Sequence, residues 1–366
     1  MATPRVLIFH RPATDGDALL VRVLAAARCE LAERQAAMLE RAGAARADWI
    51  TEWQSGMSFG EVLAEHAPAR DGLITFGSGA VARLRPSDAR ALTGVAAASG
   101  ARALTNNRYS SDICAVSRAA VLRELPALPS DNSLPRWLEE HAGYGIAELP
   151  GRQRLALDLD TPLDIALAAL APGAPAWLRE VALEAGLAVP RLAELRRLAA
   201  DPHAELLVFG RSGARTLRWL ERNVRCRVRF LAEERGLRAS TPLAIAARGG
   251  GRATDTERRP RATIGLLLDR AGADELPTII GELADGALID TRVLFAHRLG
   301  VGEEAWPAPA DRYASDLLLP AQVGDQWLHS LTAAAARSPV PILLGSHTLL
   351  GPGLPILLAG LETRAG

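Results

Sequence analysis

Short apolar runs set between helical stretches constrain this chain more than any other feature. Residues 6–9 (VLIF), 72–76 (GLITF), 102–104 and 113–116 read as strands, and residues 17–42, 58–66, 87–97 and 134–141 read as helices. Within 17–42, Leu20, Leu24, Leu31, Met38 and Leu39 recur at a spacing that lines one side of a helix. Parallel strands need a crossover between them, and a helix is the usual one. The alternation therefore predicts an α/β fold built on a doubly wound, mostly parallel sheet.

The set closes on residues 155–165, LALDLDTPLDI. The alternation in LALDL reads as a strand that delivers Asp158 and Asp160 into a turn. Pro162 suits the first turn of a helix, where its missing N–H costs nothing, and Thr161 suits the N-cap. Asp164 then faces the positive end of the helix dipole. Two carboxylates spaced by two leave a regular strand on one face and make a corner for Mg²⁺ or a hydroxyl. The same spacing also serves a plainer and commoner role, in which Asp160 and Asp164 cap the helix and Asp158 is solvated.

At 366 residues the chain exceeds the usual size of one core, so two domains are expected. The Pro- and Ala-rich run LAPGAPAW places the join near residue 172, giving domains 1–171 and 172–366. The second half starts with helices at 176–185 and 191–199. It then returns to α/β alternation, with strands at 205–209, 228–231, 263–268, 287–295 and 340–344 and a helix at 212–223. Residues 248–262, RGGGRATDTERRPRA, are nearly devoid of apolar side chains and read as a mobile loop.

Formal charge is zero, which favours neither nucleic acid nor an anionic membrane as a partner. All 42 basic residues are arginine, so Schiff-base chemistry and any phosphate-binding lysine are excluded. Cys29, Cys114 and Cys226 are far apart and form no CxxC pair, so neither a zinc site nor a disulfide framework is indicated. No signal peptide or bilayer-length apolar stretch is evident, which leads to the expectation of a cytoplasmic protein; a homo-oligomer is compatible with the sequence.

Two stretches of the second half carry candidate chemistry. In ELLVFGRSGARTLRWL, a strand meets a helix through a glycine-bracketed turn. Ser212 and Gly213, with Arg211 and Arg215, would present N–H groups and positive charge to a phosphate. A tight connection with solvated arginines fits the same residues. In LIDTRVLFAH and WPAPADRYASD, the residues Asp290, Arg292, His297, Asp311, Arg312 and Asp316 are polar groups in an apolar region. Such groups are costly to bury unless paired, so they form either an Asp–Arg network holding two loops together or a site for a phosphorylated ligand, for which Asp290 and Arg292 are candidate contacts.

The run from Gln54 to Leu84, followed by TNNRYSSDICAV, DNSLPRWLEEHAGYG and LALDLDTPLDI, resembles GT-A-like (MobA-like) nucleotidyltransferases of the 2-phospho-lactate guanylyltransferase and molybdenum-cofactor guanylyltransferase type. The order of segments agrees over roughly the first 170 residues, and only the last segment is specific. The resemblance implies a nucleotide or phosphorylated metabolite as ligand and Mg²⁺ as cofactor, with Asp160 in a metal-ligand position and Asp158 beside it. His10, Arg11, Ser78, Asn106 and Asn107 are then the candidate substrate contacts. Two departures matter. The first loop, HRPATDGD, has no glycine cluster and no lysine, and the Gly77-Ser78-Gly79 turn lacks the family's metal-binding aspartate. These losses imply altered or lost transferase activity, or a catalytically silent binding or scaffold protein that keeps the fold only.

Overall fold

The computed structural model describes residues 3–52, 54, 56–128, 130–234 and 260–360. Two compact units divide between Asp160 and Thr161. The LAPGAPAW run accordingly falls inside the second unit. Most of the expected 248–262 loop lies outside the described residues.

Unit 1 carries strands β1 (Arg5–Phe9), β2 (Ala47–Ile50), β3 (Leu73–Gly77), β4 (Arg102–Thr105), β5 (Ile113–Val116) and β6 (Gly145–Glu148). Their order in the sheet is β2-β1-β3-β5-β4-β6. The β2–β1, β1–β3 and β4–β6 pairs are parallel, while β5 runs antiparallel to both β3 and β4. The sheet is thus mostly parallel with one reversed strand. The reversal follows from chain length, since the short 106–112 loop joining β4 to β5 is too brief for a helical crossover.

Helices cover both faces of this sheet. Helix α1 (Leu19–Arg41) and helix α3 (Pro86–Ala96) pack Ala32, Leu39, Ala89 and Leu92 against Val6, Ile8, Ile74 and Phe76. On the other face, α2 (Phe59–His66) and α4 (Leu134–Glu140) bring Val62, Leu63, Leu134 and Leu138 onto Leu7, Leu73, Cys114 and Val116. The alternation of side chains along each strand produces the two cores. A reciprocal capping box starts α2: the Glu61 N–H donates to Ser58 Oγ, and the Ser58 N–H donates to Glu61 Oε2 at 2.7 Å.

The expected strand over residues 155–159 does not form. Residues Arg154–Ala156 make a 3₁₀ turn, and residues 157–160 run outside the sheet without regular structure. The backbone bonds of this segment go instead to the turn after β3, where Ala82 N donates to Leu157 O at 2.7 Å and Leu159 N donates to Gly79 O at 2.8 Å. Alternation in LALDL reports burial on one side, and a loop lying against a core produces that pattern as readily as a strand.

Unit 2 begins with α5 (Pro162–Leu170), capped as the sequence implies: Thr161 and Asp164 form a capping box around Pro162. It continues with α6 (Ala176–Glu184), α7 (Leu192–Ala200), β7 (Glu205–Gly210), α8 (Ala214–Asn223) and β8 (Arg227–Ala232). Beyond residue 259 come α9 (Thr263–Ala271), α10 (Leu276–Leu283), β9 (Gly286–Asp290), α11 (Thr291–Leu299), α12 (Pro309–Asp316), α13 (Gln326–Arg337), β10 (Ile342–Gly345) and two short helical turns. The four strands are all parallel, in the order β10-β9-β7-β8. Two expectations are corrected here. Residues 263–268 are helical, and only the first part of 287–295 is strand, since α11 begins at Thr291. Short apolar runs carry no periodicity that separates a strand from a buried helix.

Candidate functional site

Chemistry in unit 1 gathers at the carboxyl edge of the parallel strands. His10 follows β1, and its Nδ1 lies 3.0 Å from the Oγ of Ser78, which follows β3. Burial, helped by the Arg28 charge, holds the His10 pKa below its ordinary value, so the ring is neutral at physiological pH. Arg28 reaches in from α1: its Nε donates to Leu159 O at 2.5 Å and its Nη2 to Asp160 Oδ1 at 3.1 Å. Glycine is required at position 79, because a Cβ there would stand 2.8 Å from both Arg28 Nε and Leu159 O. Arg11 is exposed at the same edge.

Asp158 and Asp160 take different partners. Asp158 is 8% exposed and turns into the loop after β3, where Oδ1 accepts the Val81 N–H at 2.6 Å. Val81 has a φ of 50°, unusual for a β-branched residue, and this bond helps hold it there. Asp160 carries the ion pair to Arg28, with a side chain 45% exposed.

The candidates Asn106 and Asn107 also differ in role. Asn106 is buried and its Nδ2 donates to Asp112 Oδ2 at 2.6 Å and to Leu155 O at 3.1 Å, while its Oδ1 accepts the Asp112 N–H at 3.0 Å. Asn107 Oδ1 accepts from Arg152 Nη2 at 2.7 Å and from the Tyr109 N–H at 3.1 Å.

Asp112 and Asp131 are the residues that sequence reasoning missed. Burial raises the Asp112 pKa to about 7, with further pushes from the charges of Asp131 and Asp160 against the opposing Asn106 bond. Burial likewise raises Asp131 to about 6, and Asp160 adds to it. The two are distant in sequence, with no motif linking them; they meet because β5 is reversed and starts at the edge where the other strands end. Among the described residues, no group of three or more His, Cys, Asp or Glu is placed to hold a metal ion.

In unit 2 the turn after β7 is tied to β9 by an ion pair. Arg211 Nε and Nη2 donate to Asp290 Oδ2 and Oδ1 at 2.6 and 3.1 Å. Asp290 also caps α11 by accepting the Arg292 N–H at 3.1 Å. Burial pushes the Asp290 carboxyl up, but Arg211 and Arg292 together hold it below its ordinary value. Arg292 is itself buried and makes a two-point pair with Asp316, at 2.5 and 2.8 Å. Ser212 Oγ donates to Leu350 O at 2.9 Å, Gly213 is the N-cap of α8, and Arg215 is exposed. His297 is fixed between the Ala262 N–H, which its Nδ1 accepts at 3.0 Å, and Asp269. Arg211 and Arg292 thus bind carboxylates of their own chain.

No family model matches this chain, and no curated protein does. Two solved structures are similar to it: Rv0371c from Mycobacterium tuberculosis H37Rv, and Rv0371c from the same organism in complex with manganese. Each is 20% identical, covers 45% of this chain and 96% of the other, and has a TM-score of 0.26. Values that low assign neither a family nor a function. No helix among the described residues is long and apolar enough to cross a membrane.

Proposed function

We propose that unit 1 binds a nucleotide or phosphorylated metabolite at the carboxyl edge of its sheet, as a MobA-like nucleotidyltransferase unit with altered or lost transferase activity. The observation that carries this reading is the meeting of Arg28, Asp160, His10 and Ser78 at that edge. Open α/β sheets bind ligands outside the carboxyl ends of their strands, and here that position holds a cation, a neutral imidazole and a hydroxyl. Arg28 supplies charge to a phosphate oxygen, and the paired His10 and Ser78 supply a hydrogen bond to a ribose or phosphate.

The resemblance implies Mg²⁺ on Asp158 and Asp160. That pair does not fit a shared cation, because Asp158 is buried and turned to the Val81 N–H in the loop after β3, while Asp160 is part-exposed and turned to Arg28. Phosphoryl transfer depends on neutralising the charge that develops on phosphate oxygens, and no step is derived through a metal held by these two residues.

The silent-scaffold reading draws on a separate observation: Asp160 is already neutralised by Arg28, and the turn after β3 offers no second carboxylate. A thermal-shift panel of nucleoside triphosphates and sugar phosphates, with and without Mg²⁺, separates the two. Stabilisation by at least one nucleotide supports the binding reading. A flat response across the panel leaves the scaffold reading standing alone.

A further inference from the structure

We infer that unit 1 contains a site for one small, oxygen-binding divalent cation, built from the Asp112 and Asp131 carboxylates and the Thr75 hydroxyl. Nucleotide binding is not required for it.

Sheet register brings the three together. Thr75 on β3 pairs with Cys114 on β5, and Phe76 pairs with Ile113. Thr75 and Cys114 therefore share one face of the sheet, and Asp112, two residues before Cys114, belongs to that face by alternation. Asp131 enters from the 3₁₀ turn Asp131–Ser133 just before α4. All three residues line a single small cavity of about 10 Å³, walled by Phe59, Ile113, Cys114 and Leu134. That volume is below the roughly 300–1,000 Å³ of sites that take larger organic ligands. It has room for one ion-sized sphere held directly by the protein oxygens.

Charge makes a cation the fitting occupant. Among the described residues no arginine forms an ion pair with Asp112 or Asp131, in a chain with 42 arginines. Two carboxylates facing an apolar wall without a counter-charge are costly. Asp112 has one oxygen held by Asn106, which fixes its orientation and leaves Oδ1 to a ligand.

Thr75 supplies the independent observation. It is 3% exposed, and its Oγ1 has no hydrogen-bond partner among the described residues although it borders the cavity. An unmet buried hydroxyl is destabilising, and valine would fill the same space without that cost. A hydroxyl beside two carboxylates is a set of hard oxygen donors, which selects Mg²⁺, Mn²⁺ or Ca²⁺ over softer metals.

The test uses the full chain stripped with chelator and titrated at neutral pH with Mn²⁺ alone, followed by calorimetry and by the loss of the free-ion electron paramagnetic resonance signal. One Mn²⁺ per chain is expected, displaceable by Mg²⁺ or Ca²⁺, with binding weakened about tenfold or more in both Asp131→Asn and Thr75→Val. Thr75→Val removes no hydrogen bond, so it reports on the site in a folded protein. Absence of Mn²⁺ binding up to about 1 mM in the parent chain overturns the inference. So does parent-like affinity in either variant. Because no nucleotide is present, failure here leaves the nucleotide-binding reading to its own test.

Discussion

Asn106 and Asp112 clasp each other where β4 gives way to β5: the asparagine amide donates to the carboxylate at 2.6 Å and accepts the aspartate's own N–H at 3.0 Å. The clasp sets both the loop and the direction of the carboxyl group. Asn106→Ala strands the Leu155 carbonyl and two backbone N–H groups, and it is expected to cost about 2–4 kcal/mol in urea unfolding. A change under about 0.5 kcal/mol would show that the clasp does not hold the loop.

Stability of the metal-free chain should fall as pH rises from about 4 to about 7. The folded pKa values of Asp112 and Asp131 are raised to about 7 and about 6, so the folded state binds more protons than the unfolded state across that window. Their stabilising contribution is complete below the unfolded carboxylate pKa and is lost as pH climbs through the folded values. Urea midpoints at about pH 5 and about pH 8 in chelator measure this. Asp112→Asn should flatten the difference, and an unchanged slope in that variant would assign the effect elsewhere.

Gly210 ends β7 with a φ of 132°, and a Cβ there would lie 2.3 Å from the Asp290 Cβ. Gly210→Ala combines backbone strain with overpacking against the buried aspartate, for an expected loss of about 2–4 kcal/mol. Thermal unfolding followed by circular dichroism reads the effect.

Arg292 and Asp316 separate structural arginines from ligand-binding ones. Arg292→Met leaves Asp316 buried without its ion-pair partner, at an expected cost of about 3–5 kcal/mol, and the double variant Arg292→Met/Asp316→Leu should recover most of it. Denaturant unfolding of the two variants makes the comparison. A stable single variant that loses phosphate binding would instead mark Arg292 as a ligand contact.

The sequence makes the α/β architecture of both halves readable, because long amphipathic helices such as α1 and buried strands such as β3 have clear periods. The edge strands β2 (ADWI) and β6 (GIAE) were not legible, since half-exposed four-residue runs lack both length and apolar content. LALDL misled in kind but not in place: its leucines are buried and its aspartates reach the sheet edge, yet its hydrogen bonds go to a turn. At the candidate site, His10, Ser78 and Asp160 could be singled out from their positions after apolar runs. Asp112 and Asp131 could not, because their proximity depends on a reversed strand and a separate 3₁₀ turn, which no local spacing encodes. The glycine turn after β7 was visible, but the pairing of Arg211 with an aspartate 79 positions later was not.

The central claim, a nucleotide or phosphorylated ligand held at the edge of unit 1, rests most directly on Arg28. Calorimetric titration of the full chain and of Arg28→Ala with the nucleotide that best stabilises the parent protein is the decisive measurement. The account predicts saturable binding by the parent chain and a loss of affinity of about tenfold or more in the variant, as expected for removing a charged hydrogen bond to phosphate. Equal affinity in the two proteins, or no binding by either, would contradict it.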